Sequence, residues 1–219
     1  MKRLQRRFPG AGWLIVGPEQ ALSCLTPEGQ AMRWHPGLAK SRIAAANQGS
    51  PDYLLQSLQP RAGERFFDAN LGMAHDALVV ASRGASLVAM EFDPIVHAMT
   101  TTGLKTLRQS SSALASSASR VETLAGDHTH YLRQCPTNSF DGVLFSPMFV
   151  APNFRANDLE GLREIAHANW LHPDALSEAR RVSPKVVVKL ERDRHPPLPE
   201  PTQWLGSPRR RLRFALYLR

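Results

Sequence analysis

Cysteine is nearly absent: Cys24 and Cys135 are the only two in 219 residues. That leaves a disulfide framework unsupported and excludes a zinc site of four cysteines; both thiols read as buried and reduced, and no metal is expected. Long apolar runs are also missing. The basic start of the chain leads into an apolar stretch of only Trp13 to Val16, too short for the core of a secretion signal. No segment approaches the roughly 20 residues of a membrane span, so a cytoplasmic protein is expected. Acids are the third scarcity, with 19 Asp and Glu against 27 Lys and Arg and a net charge of +8. Such an excess favours a polyanionic partner. Arginines gather at Arg3, Arg6 and Arg7 and again at Arg209, Arg210, Arg211 and Arg213. Charge alone leaves nucleic-acid binding and the solvated ends of a basic protein equally open.

What is present suffices for one core, since 42% of the residues are hydrophobic. Residues 11–34 read as three short strands, WLIV, ALSCL and QAMRW, joined by GPEQ and TPEG turns. The expected division is a small antiparallel unit over 1–34 and a main domain over 35–219. HPGLAKSRIAAANQ and DYLLQSLQ read as helices ahead of the first core strand. From there strands and helices alternate: ERFFDA, a helix over 74–82, LVAMEF, a helix over 94–107, VETLAG, a short helix around Tyr131, and GVLFSP. After a loop rich in Pro and Asn come a helix through Ile165, another through Ala179, and the strand KVVVKLE. That order predicts an α/β fold with a mostly parallel sheet and right-handed crossovers. HPPLPEPTQ breaks regular structure, and LRFALYL after the Gly206-Ser207-Pro208 turn reads as an antiparallel C-terminal strand in a final hairpin. The serine-rich run over 110–119 reads as a frayed helix end or a flexible loop.

The stretch FFDANLGMAHDAL, residues 66–78, carries the chemistry. Phe66 and Phe67 read as a buried strand, Asp68 stands at its carboxyl end, and Gly72 lets the backbone turn close to a ligand. Glu91, Asp127 and Ser146 end the next three strands in the same way, so polar groups recur along one sheet edge, where open α/β sheets bind ligands. A dinucleotide loop needs three glycines, and this one has a single glycine. It fits instead a ligand without phosphate, whose ribose hydroxyls Glu91 accepts and whose positive groups Asp68 faces. S-adenosylmethionine is such a ligand.

Taken together, these motifs resemble those of class I S-adenosylmethionine-dependent methyltransferases, and among them the RsmJ-like group of ribosomal small-subunit guanine-N2 methyltransferases. The group's D-A-T-x-G-L-x-x-D-A loop is matched by DANLGMAHDA, with Asn70 in the threonine place. Its D-P-M-F signature is answered by SPMF over 146–149, and its histidine-proline pair by His35-Pro36. The resemblance covers most of the chain. It implies a Rossmann-like fold with a seven-stranded sheet, S-adenosylmethionine as cofactor, and structured ribosomal RNA as partner. Cofactor contacts would fall on Asp68, Asn70, Gly72, His75, Asp76, Glu91, Phe92, Asp127, His128 and Ser146.

Several of these residues have a second reading. Asp68 either meets the cofactor's amino group or braces the turn through backbone N–H groups. Asp127 either lies near adenine with His128 or caps the helix that follows. His35 reads first as a helix start and only second as catalytic. Phe149 either stacks on a flipped base or belongs to the core. For methyl transfer to an exocyclic amine, the group uses its aspartate side chain and the carbonyl of the next proline. Those roles fall on Ser146 and Pro147, and a hydroxyl accepts more weakly than a carboxylate. Two functions follow as expectations: a methyltransferase acting on a base of structured RNA, guanine N2 among the candidates, or a catalytically weakened cofactor-binding or RNA-binding module.

Overall fold

A computed structural model describes residues 7, 13–17, 22–25, 31–147, 171–191, 195, 197–207, 209 and 211–219. The chain opens with a three-stranded antiparallel sheet of β1 (Trp13–Val16), β2 (Leu22–Leu25) and β3 (Ala31–Arg33), in the order β1-β2-β3. Cys24 and Met32, paired across β2 and β3, are buried against Met73, Val96 and Met99 of the main domain. The expected three short strands are therefore present, and the thiol of Cys24 is a core group.

Helices α1 (Gly37–Asn47) and α2 (Tyr53–Leu58) follow, the second capped by Asp52, which accepts from the N–H groups of Leu54 and Leu55. Then the alternation begins: β4 (Arg65–Asp68), α3 (His75–Ala81), β5 (Ser86–Glu91), α4 (Pro94–Arg108), α5 (Ala115–Ser119), β6 (Val121–Ala125), α6 (His128–Gln134) and β7 (Gly142–Phe145). Beyond it lie α7 (Pro173–Val182), β8 (Lys185–Glu191), β9 (Gln203–Leu205) and β10 (Leu212–Leu218). The expected helix through Ile165 lies outside the described residues.

The main sheet has seven strands in the order β6-β5-β4-β7-β8-β10-β9. Strands β6 to β8 run parallel, and β10 is antiparallel to both β8 and β9. The Rossmann-like α/β reading and its antiparallel C-terminal strand are thus observed. Order reverses at β4, where the chain steps to β5 on one side and β7 on the other, and this makes the crevice at the carboxyl ends of the strands. Both faces are covered. Phe66 packs with α2 and α3 residues on one face, while Phe67 stacks on Tyr131 at 5.2 Å on the other. Adjacent strand residues point to opposite faces, so the Phe-Phe pair ties two cores together.

The serine-rich run packs better than its composition suggests. Within it α5 buries Ser117 and Ala118, and Arg108 donates to the carbonyls of Ala118 and Val121. Trp34 joins the small sheet to the large unit: its indole N–H donates to the Met73 carbonyl at 3.0 Å. A Cβ on Gly103 of α4 would lie 2.2 Å from the Trp34 ring. No helix among the described residues is long and apolar enough to cross a membrane.

Candidate functional site

The register brings the strand-end acids to one edge. Asp68 pairs with Ala89, so Glu91 projects two residues further along β5, and the Leu71 N–H returns to the Met90 carbonyl. The loop between β4 and α3 therefore folds over the end of β5. Gly72 sits at φ +50°, the left-handed region, and donates its N–H to Glu91 Oε2 at 2.8 Å. Its added Cβ would meet only the Asn70 carbonyl at 4.0 Å, so the backbone angle rather than lack of space favours glycine. Glu91 Oε1 accepts the Asp93 N–H at 3.0 Å, and Thr100 Oγ1 donates to the Gly72 carbonyl at 2.6 Å. Each carboxylate oxygen of Glu91 can accept more than one hydrogen, so capacity for a diol remains after these bonds. Burial pushes the Glu91 carboxyl above its ordinary value.

Asp68 is fully buried. Its Oδ1 accepts the Asn70 N–H at 3.1 Å, which is the bracing role, while Oδ2 has no hydrogen-bond partner among the described residues. Burial first, and the charge of Asp76 second, push Asp68 up to about 7. A buried acceptor left without a donor costs about 1–3 kcal/mol, so this oxygen suits a ligand that brings an N–H or ammonium group. Phe92 is 46% exposed beside Glu91, an apolar ring at the rim of the crevice.

Asp76, at the start of α3, anchors a polar cluster. Its Oδ2 accepts from Lys189 Nζ at 2.8 Å and from the Ser146 hydroxyl at 3.0 Å, and its Oδ1 accepts from Arg42. Arg42 also reaches the capping carboxylate of Asp52 at 2.9 Å. Burial opposes ionisation of Asp76, but the charges of Lys189 and Arg42 outweigh it and hold the carboxyl well below the usual range. Asn70 uses its side-chain oxygen on the Ser146 N–H at 3.0 Å, tying the β4 loop to the residue that follows β7. Pro147 follows Ser146 at the crevice, and Phe149 lies outside the described residues.

The remaining candidates have structural employment. Asp127 caps α6 by accepting the His130 N–H at 2.9 Å, so the cap reading holds for it. His128 is 2% exposed, packs edge-on to Phe145, and is hydrogen-bonded to the Ala69 backbone in the loop that follows β4. His75 is tied through Nε2 to the His35 carbonyl at 3.0 Å, and burial lowers its pKa. The carbonyl can only accept, so Nε2 carries the hydrogen. His35 itself accepts the Gly37 N–H on Nδ1, the helix-start role. Of the C-terminal arginines, Arg211 pairs with the buried Glu191, and Arg213 lies over the Trp204 ring at 4.3 Å. These two belong to the fold's own contacts more than to a solvated patch.

Sequence reasoning missed Arg42 and Lys189. Lys189 had a signal, a lysine inside the apolar run KVVVKLE, where only a buried partner makes the charge tolerable. Arg42, on an ordinary polar helix face, had none.

A ribose-competent acid, an apolar rim and a buried acceptor for an ammonium group form a donor and acceptor set that fits S-adenosylmethionine. Comparison with known proteins agrees. The family model for SAM-dependent methyltransferases matches residues 34–219. Ribosomal RNA small subunit methyltransferase J of Halorhodospira halophila is 30% identical over 223 aligned positions, covering 95% of this chain and 81% of the relative. The uncharacterized protein YpiP of Bacillus subtilis is 30% identical over 178 positions, 80% of this chain and 69% of YpiP. The methyltransferase J of Alkalilimnicola ehrlichii is 30% identical over 163 positions, 70% of this chain but only 60% of that relative, so the match spans less than two thirds of its length. In fold, the chain is similar to the crystal structure of a SAM-dependent methyltransferase from Neisseria gonorrhoeae, with a TM-score of 0.69 and 20% identity over 99% of this chain and 90% of that one. The chain is an enzyme of the SAM-dependent methyltransferase family, in its RsmJ-like class I branch.

Proposed function

We propose that this enzyme methylates a base of structured ribosomal RNA at an exocyclic amine, with guanine N2 the favoured acceptor. The observation that carries the reading is the placement of Ser146 and the following Pro147 at the end of β7, hydrogen-bonded to the cofactor loop through Asn70 and Asp76. The relatives named ribosomal RNA small subunit methyltransferase J support RNA as the substrate class. The net charge of +8 suits it. Residues 35–219 would form the catalytic domain and 1–34 a small brace on its cofactor loop.

Within this reading, Glu91 accepts the ribose hydroxyls, Phe92 covers adenine, and Asp68 Oδ2 accepts from the ammonium of the methionine moiety. The bound cofactor supplies a methyl group activated by a sulfonium. The protein's task is alignment: it holds the acceptor nitrogen in line and accepts its N–H hydrogens on Ser146 Oγ and the Pro147 carbonyl. The test is transfer of labelled methyl from S-adenosylmethionine to small ribosomal subunits and to their naked RNA, followed by nucleoside analysis. Label in N2-methylguanosine is expected, and transfer should fall steeply as salt rises. Cofactor binding with no transfer to any RNA would instead favour the weakened binding module.

Asp68 makes a pH prediction. Its carboxyl is raised to about 7 in the ligand-free protein. Below that pH it carries a proton that an incoming ammonium must expel, so affinity for S-adenosylhomocysteine should rise with pH by up to about tenfold per unit and level off above about 7. Titration calorimetry from pH 5.5 to 8 in buffers of different ionisation heat checks this. An affinity flat across the range removes Asp68 as the ammonium partner.

A further inference from the structure

We propose that Asp76 is a positioning residue for the methyl acceptor: it takes the hydroxyl hydrogen of Ser146, so that only the lone pairs of Ser146 Oγ are presented to the acceptor amine. The inference rests on the amine-methylation reading above and gives Asp76 a role beyond the cofactor contact that the resemblance implies.

A serine hydroxyl has one hydrogen and two lone pairs and ordinarily turns to suit whichever partner arrives. At Ser146 the choice is made in advance. Its Oγ lies 3.0 Å from Asp76 Oδ2, and a carboxylate can only accept. Asp76 stays a carboxylate because Lys189 and Arg42 both donate to it, with side chains only 15% and 20% exposed. The Ser146 backbone is fixed as well, through its N–H to Asn70 Oδ1 at 3.0 Å. The hydroxyl thus becomes an acceptor with a fixed direction, and its polarisation by the carboxylate strengthens that acceptance.

Two consequences concern chemistry. With its hydrogen committed, Ser146 cannot donate to a base carbonyl or ring nitrogen, so the site selects for acceptors that carry N–H groups. The arrangement also supplies indirectly, through a buried carboxylate, part of the charge that the aspartate of D-P-M-F would supply directly. Asp76 is no general base, since two cations hold it ionised. In the transfer, the amine's electron pair forms the new N–C bond while the carbon–sulfur bond breaks toward sulfur. The surplus proton on nitrogen then leaves to water, and Ser146 keeps its own.

The experiment uses the full chain with labelled S-adenosylmethionine and small ribosomal subunits, in wild type, Asp76→Asn, Ser146→Ala, the double variant and Ser146→Thr. In the orientation that keeps its oxygen for Arg42, asparagine turns an N–H toward Ser146 and Lys189 together, which reverses the hydroxyl. At saturating S-adenosylmethionine, Asp76→Asn and Ser146→Ala should each lower kcat about tenfold or more, with RNA KM within about threefold of wild type. The double variant should be no slower than Ser146→Ala, and Ser146→Thr should retain most of the rate. A full further loss from Asp76→Asn in the Ser146→Ala background overturns the proposal, because Asp76 then acts other than through the hydroxyl. Ser146→Ala at the wild-type rate overturns it without reference to any Asp76 variant, so misfolding of Asp76→Asn would not protect it. Wild type that modifies no RNA removes the amine reading and this inference together, whereas guanine methylation with additive variants removes the inference alone.

Discussion

Replacing Glu91 by alanine is expected to weaken S-adenosylhomocysteine binding by at least tenfold. A hydrogen bond to a charged partner contributes about 1.5–3 kcal/mol, and Glu91 is placed to give up such bonds to a ribose diol. The structure adds a second cost. Glu91 also holds the Gly72 N–H and the Asp93 N–H, so alanine releases the turn of the cofactor loop as well as the ligand. Glutamine keeps the shape and one of the two backbone contacts but turns an N–H toward the other donor, so its loss should fall between wild type and alanine. Calorimetry on both variants reads the result. An alanine variant that binds with unchanged affinity would show that the ribose lies elsewhere.

The largest expected effect on stability comes from Asp76→Ala. It would strip a shared counter-charge from Arg42 and Lys189, both mostly buried. Removing one partner of a buried ion pair typically costs about 3–5 kcal/mol, since the charges left behind stay desolvated. For a domain of this size that corresponds to a fall in Tm on the order of 10 °C. Arg42 retains Asp52, which softens the loss on its side, so Lys189 bears more of it. Adding Lys189→Met to Asp76→Ala should therefore recover part of the stability. Thermal or urea unfolding checks both, and a loss below about 1 kcal/mol would mean that the cations find other partners.

Much of the sheet and its crevice could be read from the sequence because the signals are local. Phe66-Phe67 followed by Asp68 and Gly72 states a buried strand, its end and its turn within seven residues, and Glu91 repeats the pattern one strand later. For Asp127 the cap was one of two readings, and it is the one a helix start can settle within three residues. The cluster around Asp76 was not. Its partners come from positions 34 residues before it and 70 and 113 residues after it, and the register of β7 and β8 decides that they meet. Composition misled in two places for a related reason. The serines over 110–119 read as a frayed helix end or a flexible loop and instead hold the buried α5, while Arg211 and Arg213, read as solvated or nucleic-acid-binding, lie against Glu191 and Trp204. The aromatic Phe149 stands outside the described residues, so of the three expected catalytic residues only Ser146 and Pro147 are described.

The indole of Trp34 links three positions that lie far apart in the chain. It leans on Gly103, where no side chain fits, and it holds the carbonyl of Met73. These positions can therefore drift only as a set. A larger residue at 103 would be admissible only after the tryptophan has shrunk, and a smaller residue at 34 would leave the Met73 carbonyl in search of another donor. The small N-terminal sheet is thus bound to the cofactor loop by mutual constraint. Replacing Trp34 by a small residue would open room at Gly103 and leave the Met73 carbonyl to find another donor.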